Sequence, residues 1–322
     1  EVKSIDLQDH IRIKNEPIRG ILFFICIISF ATLLGKIGDI IFSEDKEALL
    51  KSIGREYILF STTVPMYLVS CVLGPRTKHI YVAIGLVLFS LYIGFRDTAA
   101  MSVLSLTVVL LWPTRARLIT RWKAILAISF AVIFLLYIKQ IQYAIKSSDT
   151  ALLFDIIKDP NFLLIGIIKS EPFLTQAILT DVINYNINID PSELLSLLSL
   201  LIPFSPELGL PQFDYNAIFQ PQLYPEIEWG VASNIFAMFY SFGGLPFVFA
   251  FCLVFSVLPA IFNKLLVTRK TTLIVAGVPA AVYIFFFIHR NDLVGILTIS
   301  KRFFMIWIIL EILLLASNRR VH

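Results

Sequence analysis

The sequence predicts an all-α polytopic membrane protein, and three observations carry that prediction. Hydrophobic residues make up 57 % of the 322 residues and charged residues 16 %, with a mean hydropathy of +0.82. Soluble domains are nearer half apolar and a quarter charged. Apolar runs of membrane-crossing length recur along most of the chain between short charged turns. In lipid the backbone must satisfy its own hydrogen bonds, which a helix does within itself. The third observation is one segment, Gln142 to Trp229, that is too polar and too broken to cross. About eight spans plus one loop domain fit this length, at roughly 20 residues per crossing. The net charge is only +4, and no nucleic-acid partner is expected. Cys26, Cys71 and Cys252 all lie in apolar runs, as small core residues do, with no disulfide framework and no metal-ligand spacing.

Residues 1–20 are a polar lead-in carrying Lys3, Arg12, Lys14 and Arg19. Glu1 stands where an initiator Met would be, as expected of a chain that has lost earlier spans. The first span runs from Ile21 to Phe42 and contains Lys36 and Asp39, three apart on one helical face. They pair inside the bundle or mark its end. The second span is Tyr57 to Leu73, the third Ile80 to Phe95 and the fourth Thr98 to Trp112, with Arg96-Asp97 between the last two. A basic stretch, Pro113 to Lys123, precedes the fifth span, Ala124 to Ile141. After the loop, Val231 to Phe262 is too long for one crossing, and Gly243-Gly244-Leu245-Pro246 divides it. We read an interfacial helix up to Tyr240 and a sixth span from Gly243. Thr271 to Ile288 is the seventh and Thr298 to Ala316 the eighth. The chain therefore divides into a membrane bundle (1–141), a loop or lid (142–230) and a second bundle (231–322).

The loop holds eight of the fifteen prolines, eleven of the twenty-three acids and only Lys146, Lys158 and Lys169 of the twenty-seven basic residues. Proline at that density forbids long helices, so the loop reads as a shaped, largely coil lid carrying short helices. Phe162 to Ile168 and Leu194 to Ile202 are too apolar for a solvated linker, and Phe173 to Thr180 reads as an amphipathic helix on the membrane or the bundle. Fifteen Lys and Arg gather on the side of residues 1–20, 74–79, 113–123, 263–270 and the tail. The positive-inside rule makes that side cytoplasmic and turns the acidic loop outward. The same alternation sets Arg96-Asp97 and His289-Arg290-Asn291-Asp292 on the loop's side.

An arginine at a span end can simply reach for the interface. Arg96, however, interrupts a nearly continuous apolar stretch, and Arg290 repeats the arrangement. Two guanidiniums at one membrane face suit a phosphate, which takes bidentate hydrogen bonds. The nearest phosphate there belongs to a lipid headgroup or lipid pyrophosphate.

Tyr92-Ile-Gly-Phe-Arg-Asp97 before an apolar span resembles the Gly-x-Arg element of bacterial O-antigen polymerases (the Wzy type) and related oligosaccharide repeat-unit polymerases. Gly230 to Leu245 is similar to their segment after the large periplasmic loop, and Arg290-Asn-Asp-Leu293 to their late Arg-Gly-Asp-Leu element. Ala237 stands where many members carry Glu, and Ser241 where Asn is usual; members commonly have ten or more spans. The resemblance implies a membrane glycosyltransferase (GT-C-like) architecture in a bacterial inner membrane, with the loop periplasmic. It implies no cofactor and no metal. The implied reaction is inverting transfer of a growing glycan from undecaprenyl pyrophosphate to a new lipid-linked repeat, with a chain-length regulator and a flippase as companions. Such chemistry needs cations on the leaving pyrophosphate, for which Arg96 and Arg290 are candidates and Lys169 next. It also needs a base for the attacking hydroxyl, from among Asp97, Asp292, Glu171, Glu226 and Glu228. His289 is a base or a helix-end residue, Asn234 in the matching segment is a candidate substrate contact, and Tyr185, Tyr215, Tyr224 and Trp229 stack on sugars or anchor the interface. Glu226-Ile-Glu228 has the look of a metal pair but is common in loops. Rival readings are an O-antigen ligase, which uses another acceptor, and a transporter or flippase, which predicts internal repeats and polar residues at mid-membrane.

Overall fold

The protein's structure, a computed structural model, describes residues 5–38, 40, 49, 52–74, 77–111, 126, 129, 154, 158, 171–200, 202, 208–211, 213–226, 233–267, 270–288 and 291–318. Among them every regular element is helical. Four helices are long and apolar enough to cross a membrane: Glu16–Ile37, Arg55–Leu73, Ile235–Lys264 and Leu293–Ala316. The chain is a helical membrane protein. The third, fourth and seventh expected spans are helices of 16 residues each. That is roughly 24 Å at 1.5 Å per residue, against a hydrocarbon core of about 30 Å. The fifth lies outside the described residues apart from Leu126 and Ser129. Four helices of full length are thus found among the described residues, where the sequence suggests about eight spans.

Two compact units divide the chain, Glu1–Ile167 with Arg269–Pro279 and Ile306–His322, and Ile168–Thr268 with Ala280–Met305. In the first unit, α1 (Ile5–Ile37), α3 (Thr77–Tyr92) and α4 (Arg96–Leu111) all pack on α2 (Arg55–Leu73). The centre of α2 is buried without interruption from Phe60 to Cys71. Its hydroxyls enter the core at little cost because they bond backward to their own helix, Thr62 to the Ile58 carbonyl at 2.7 Å and Thr63 to that of Leu59 at 2.8 Å. Helix α1 stops at Ile37, five residues before the expected end, where Gly38 turns to φ 47°. Lys36 there pairs with Glu56 at 2.8 Å; Asp39, its expected partner, lies outside the described residues.

The short joint between α3 and α4 has a clear local cause. The Phe95 N–H reaches the Ser90 carbonyl at 2.9 Å and the Gly94 N–H that of Leu91 at 3.0 Å, with Gly94 at φ 96°. This six-to-one and five-to-two pair with glycine in the left-handed region is the Schellman stop. The apolar run is thus divided into two helices at Gly94, close to the expected boundary.

The second unit holds α5 (Glu171–Asn184), a 3-10 turn (Pro191–Glu193), α6 (Leu194–Ser199), α7 (Tyr215–Leu223) and α8 (Ile235–Val267). Helices α9 (Thr271–Phe286) and α10 (Leu293–Asn318) contribute residues to both units. The described part of the loop is more helical than expected. Two of its prolines fall where helices tolerate them, Pro172 in the first turn of α5 and Pro191 opening the 3-10 turn, while Pro221 stands inside α7. A second Schellman stop ends α5, with Asn186 at φ 49° and the Ile187 N–H on the Val182 carbonyl at 3.1 Å. The Phe162 to Ile168 run lies outside the described residues.

A hydrophobic core holds these short helices together. Ile178, Val182, Leu197, Phe213, Tyr215 and Phe219 meet Ala237, Met238 and Phe242 of α8, and each large side chain so buried contributes about 1.5–3 kcal/mol. Helix α8 breaks just after them, where Gly243 has φ −179°, ψ 29° and Gly244 φ 66°, ψ −154°. The second pair is open essentially to glycine alone. At Gly243 the Phe247 ring fills the space that a Cβ would need. With the helix interrupted, the Ser241 carbonyl accepts the Ile189 N–H at 2.8 Å. The break falls where the sequence divides the run. Beyond it Leu245, Phe249, Leu253 and Val257 are exposed at steps of four, the surface that a helix presents to lipid.

Candidate functional site

Two polar centres emerge, one in each unit. In the first, Arg96 is the first residue of α4 and Asp97 the second, both half-buried. Tyr57 donates its hydroxyl to Asp97 Oδ1 at 3.3 Å and lies 3.3 Å from Thr98 Oγ1. Its ring packs on Phe95, with centroids 4.0 Å apart. An acid in the first turn favours the helix, whereas a guanidinium at that position adds to the positive end of the dipole. Arg96 thus works against helix stability and concentrates positive potential at the start of α4.

The second centre forms around Asp292, only 8 % exposed. It caps α10, which begins at Leu293, five residues earlier than expected. Asp292 Oδ1 accepts the Gly295 N–H at 2.8 Å, the usual service of an N-cap aspartate. Leu293 and Val294 pack against the core of the loop helices. The backbone N–H of Asp292 donates to Ser233 Oγ at 2.9 Å. Burial pushes the Asp292 carboxyl above the ordinary carboxylate range, opposed by the Gly295 N–H and the Ser233 hydroxyl and reinforced by the charge of Asp214. Tyr215, fully buried, sits 3.2 Å from Ser241 Oγ; burial raises its phenol, and the Asp292 charge adds to that. A buried carboxyl therefore stands at the start of a membrane helix, its main chain held by Ser233.

Other predicted residues turn out to hold the frame. Asn234 is buried and caps α8, its Oδ1 accepting the N–H groups of Phe236 at 2.9 Å and Ala237 at 3.3 Å. Its Nδ2 donates to the Thr175 carbonyl at 3.1 Å. Both ends of the amide are engaged within the protein, so its expected contact with substrate is replaced by a structural role. Tyr224 donates to Asp181 Oδ2 at 2.6 Å, and burial raises its phenol; the hydroxyl is committed inside the loop. Glu226 is exposed in the turn after α7, and Glu171 opens α5. Lys169, Glu228, Trp229, His289 and Arg290 lie outside the described residues. No group of His, Cys, Asp or Glu suited to a metal occurs among the described residues.

Sequence reasoning missed Ser233, Tyr215 as a partner of Ser241, Asp181 and Tyr57. Ser233-Asn234 ahead of an apolar run carries a helix-start signal that points to a cap, though not to the long-range bonds. No protein-family model matches the chain, and neither a curated protein nor a solved structure does.

Proposed function

We propose that the chain is a membrane-integral glycosyltransferase. It polymerises undecaprenyl-pyrophosphate-linked oligosaccharide repeats into surface polysaccharide at the outer face of a bacterial inner membrane. The observation that carries this reading is Asp292, a buried carboxyl with raised affinity for protons, where the loop helices meet the start of α10. An acceptor hydroxyl needs such a base, and a base is stronger for a raised pKa. The late Arg290-Asn-Asp-Leu293 element of the resemblance contains it.

In this scheme the acceptor hydroxyl attacks the anomeric carbon of the growing glycan. The bond from that carbon to the pyrophosphate oxygen breaks and its electron pair leaves with the phosphate. The hydroxyl proton passes to Asp292. The charge developing on the leaving group needs a cation, for which Arg290 and Arg96 are the candidates, and such stabilisation is worth more at low dielectric than in water. The spans number about eight in a GT-C-like arrangement, with a flippase supplying the lipid-linked repeat.

The test is complementation of a polymerase-deletion strain with the full-length gene, and gels of the surface glycan for wild type, Arg96→Ala and Arg290→Ala. A ladder for wild type and a single capped repeat for both expressed variants are expected. Unchanged ladders in the variants reduce the arginines to anchors. Loss of the single repeat as well turns the reading to a ligase or a flippase.

A further inference from the structure

Ser233 and Asn234 are adjacent, both buried, and fasten the start of α8 in two directions. Asn234 does the work of its own helix and holds α5 through the Thr175 carbonyl at 3.1 Å. Ser233 reaches 59 residues along the chain to the backbone N–H of Asp292 at 2.9 Å. Capping of α10 does not require that bond, because Asp292 Oδ1 already serves the Gly295 N–H at 2.8 Å. The bond to Ser233 fixes something else, namely where the backbone of Asp292 stands relative to the loop. The Ser233 hydroxyl also bears on the carboxyl itself and opposes the effect of burial there. One small side chain thus holds the main chain of the residue that carries the buried carboxyl.

We propose that Ser233 is a positioning residue, which sets the Asp292 carboxyl within reach of the acceptor hydroxyl; this rests on the glycosyl-transfer reading given above. A base must come within about 2.6–3.2 Å of the proton donor, and a displacement of about 1 Å lowers a rate by around 10²-fold. Ser233 lies where the chain returns from the loop to the membrane. It therefore ties the base to the start of α8 and, through its neighbour Asn234, to α5.

The experiment uses the full-length protein in lipid nanodiscs with synthetic undecaprenyl-pyrophosphate-linked repeat units. Rates and melting temperatures are measured for wild type, Ser233→Ala, Ser233→Thr and Ser199→Ala. Ser199 is a buried loop hydroxyl on the Pro211 carbonyl at 2.6 Å, so its loss reports on stability alone. Ser233→Ala is expected to lower kcat about 10²-fold with KM little changed, and Ser233→Thr to restore most of it. Ser199→Ala is expected to lower the melting temperature with kcat kept. A kcat loss in Ser233→Ala that only tracks its melting temperature, as in Ser199→Ala, overturns the positioning role and leaves the reaction standing. A folded wild type that elongates nothing overturns the reaction and the role together.

Discussion

Replacing Asp292 with Asn and with Ala separates a cap from a base. As a cap, Asp292 gives one oxygen to the Gly295 N–H at 2.8 Å, and the Asn amide oxygen can do the same. Asn and Asp are equivalent caps, whereas Ala costs about 1 kcal/mol. The charge behaves differently. Burial raises the folded-state pKa of Asp292 above its ordinary value of 3.8, so the folded protein holds this proton more tightly than the unfolded chain. Its contribution to stability is complete below the ordinary value and is lost as pH rises through the raised one. At neutral pH the ionised group is carried at a cost that Asn does not have. Asp292→Asn should therefore melt at or above the wild-type temperature at pH 7, and Asp292→Ala below it. Glycan elongation should fall in both, by roughly 10²- to 10⁴-fold, the usual contribution of a general base. Thermal unfolding in detergent and a gel of the polymer ladder read the two effects. Wild-type elongation by Asp292→Asn would reduce the residue to a cap. A melting temperature for Asp292→Asn as low as that of Asp292→Ala would refute the burial argument, since it would mean that the charge itself stabilises.

Further outcomes follow from the same structure. The acid limb of the rate-against-pH profile should lie above the ordinary carboxylate range, because Asp292 must be ionised to accept a proton and burial raises its pKa; a limb near pH 4 or below contradicts this. Gly244→Ala should destabilise by about 1–3 kcal/mol through its φ of 66°, measured by thermal unfolding. Phe219→Ala, emptying a fully buried position in the loop core, should cost about 3–5 kcal/mol and expose the loop to proteolysis. Tyr224→Phe leaves the Asp181 carboxylate without its bond at 2.6 Å, a loss of about 1–3 kcal/mol visible as a lower melting temperature.

Much of the fold was legible because a membrane makes the sequence speak plainly. Apolar length marked the helices, and Gly243-Gly244 marked the break in α8 since only glycine takes the dihedrals found at Gly244. The ends of helices were less legible, because caps override hydropathy: Asp292 starts α10 at Leu293, five residues ahead of the apolar run. The described part of the loop is more helical than its proline count suggests, because Pro172 and Pro191 open helices instead of breaking them. Residue type singled out Asp97 in the first polar centre and Asp292 in the second as candidates. What could not be read were partners far along the chain, such as Ser233 for Asp292 and Asp181 for Tyr224. Such pairs are made by packing and leave no local pattern. Asn234 shows the reverse error, a polar residue assigned to substrate whose amide is consumed by its own helix and α5.

The most direct test of glycosyl transfer is a reconstitution. Purified full-length protein in nanodiscs is given lipid-linked repeat units alone, and products are resolved by mass spectrometry. The account predicts glycans lengthened by whole repeats, with one undecaprenyl pyrophosphate released for each repeat joined. Unchanged repeats from a folded, substrate-binding protein would contradict it, as would transfer seen only when a lipid A core is supplied as acceptor.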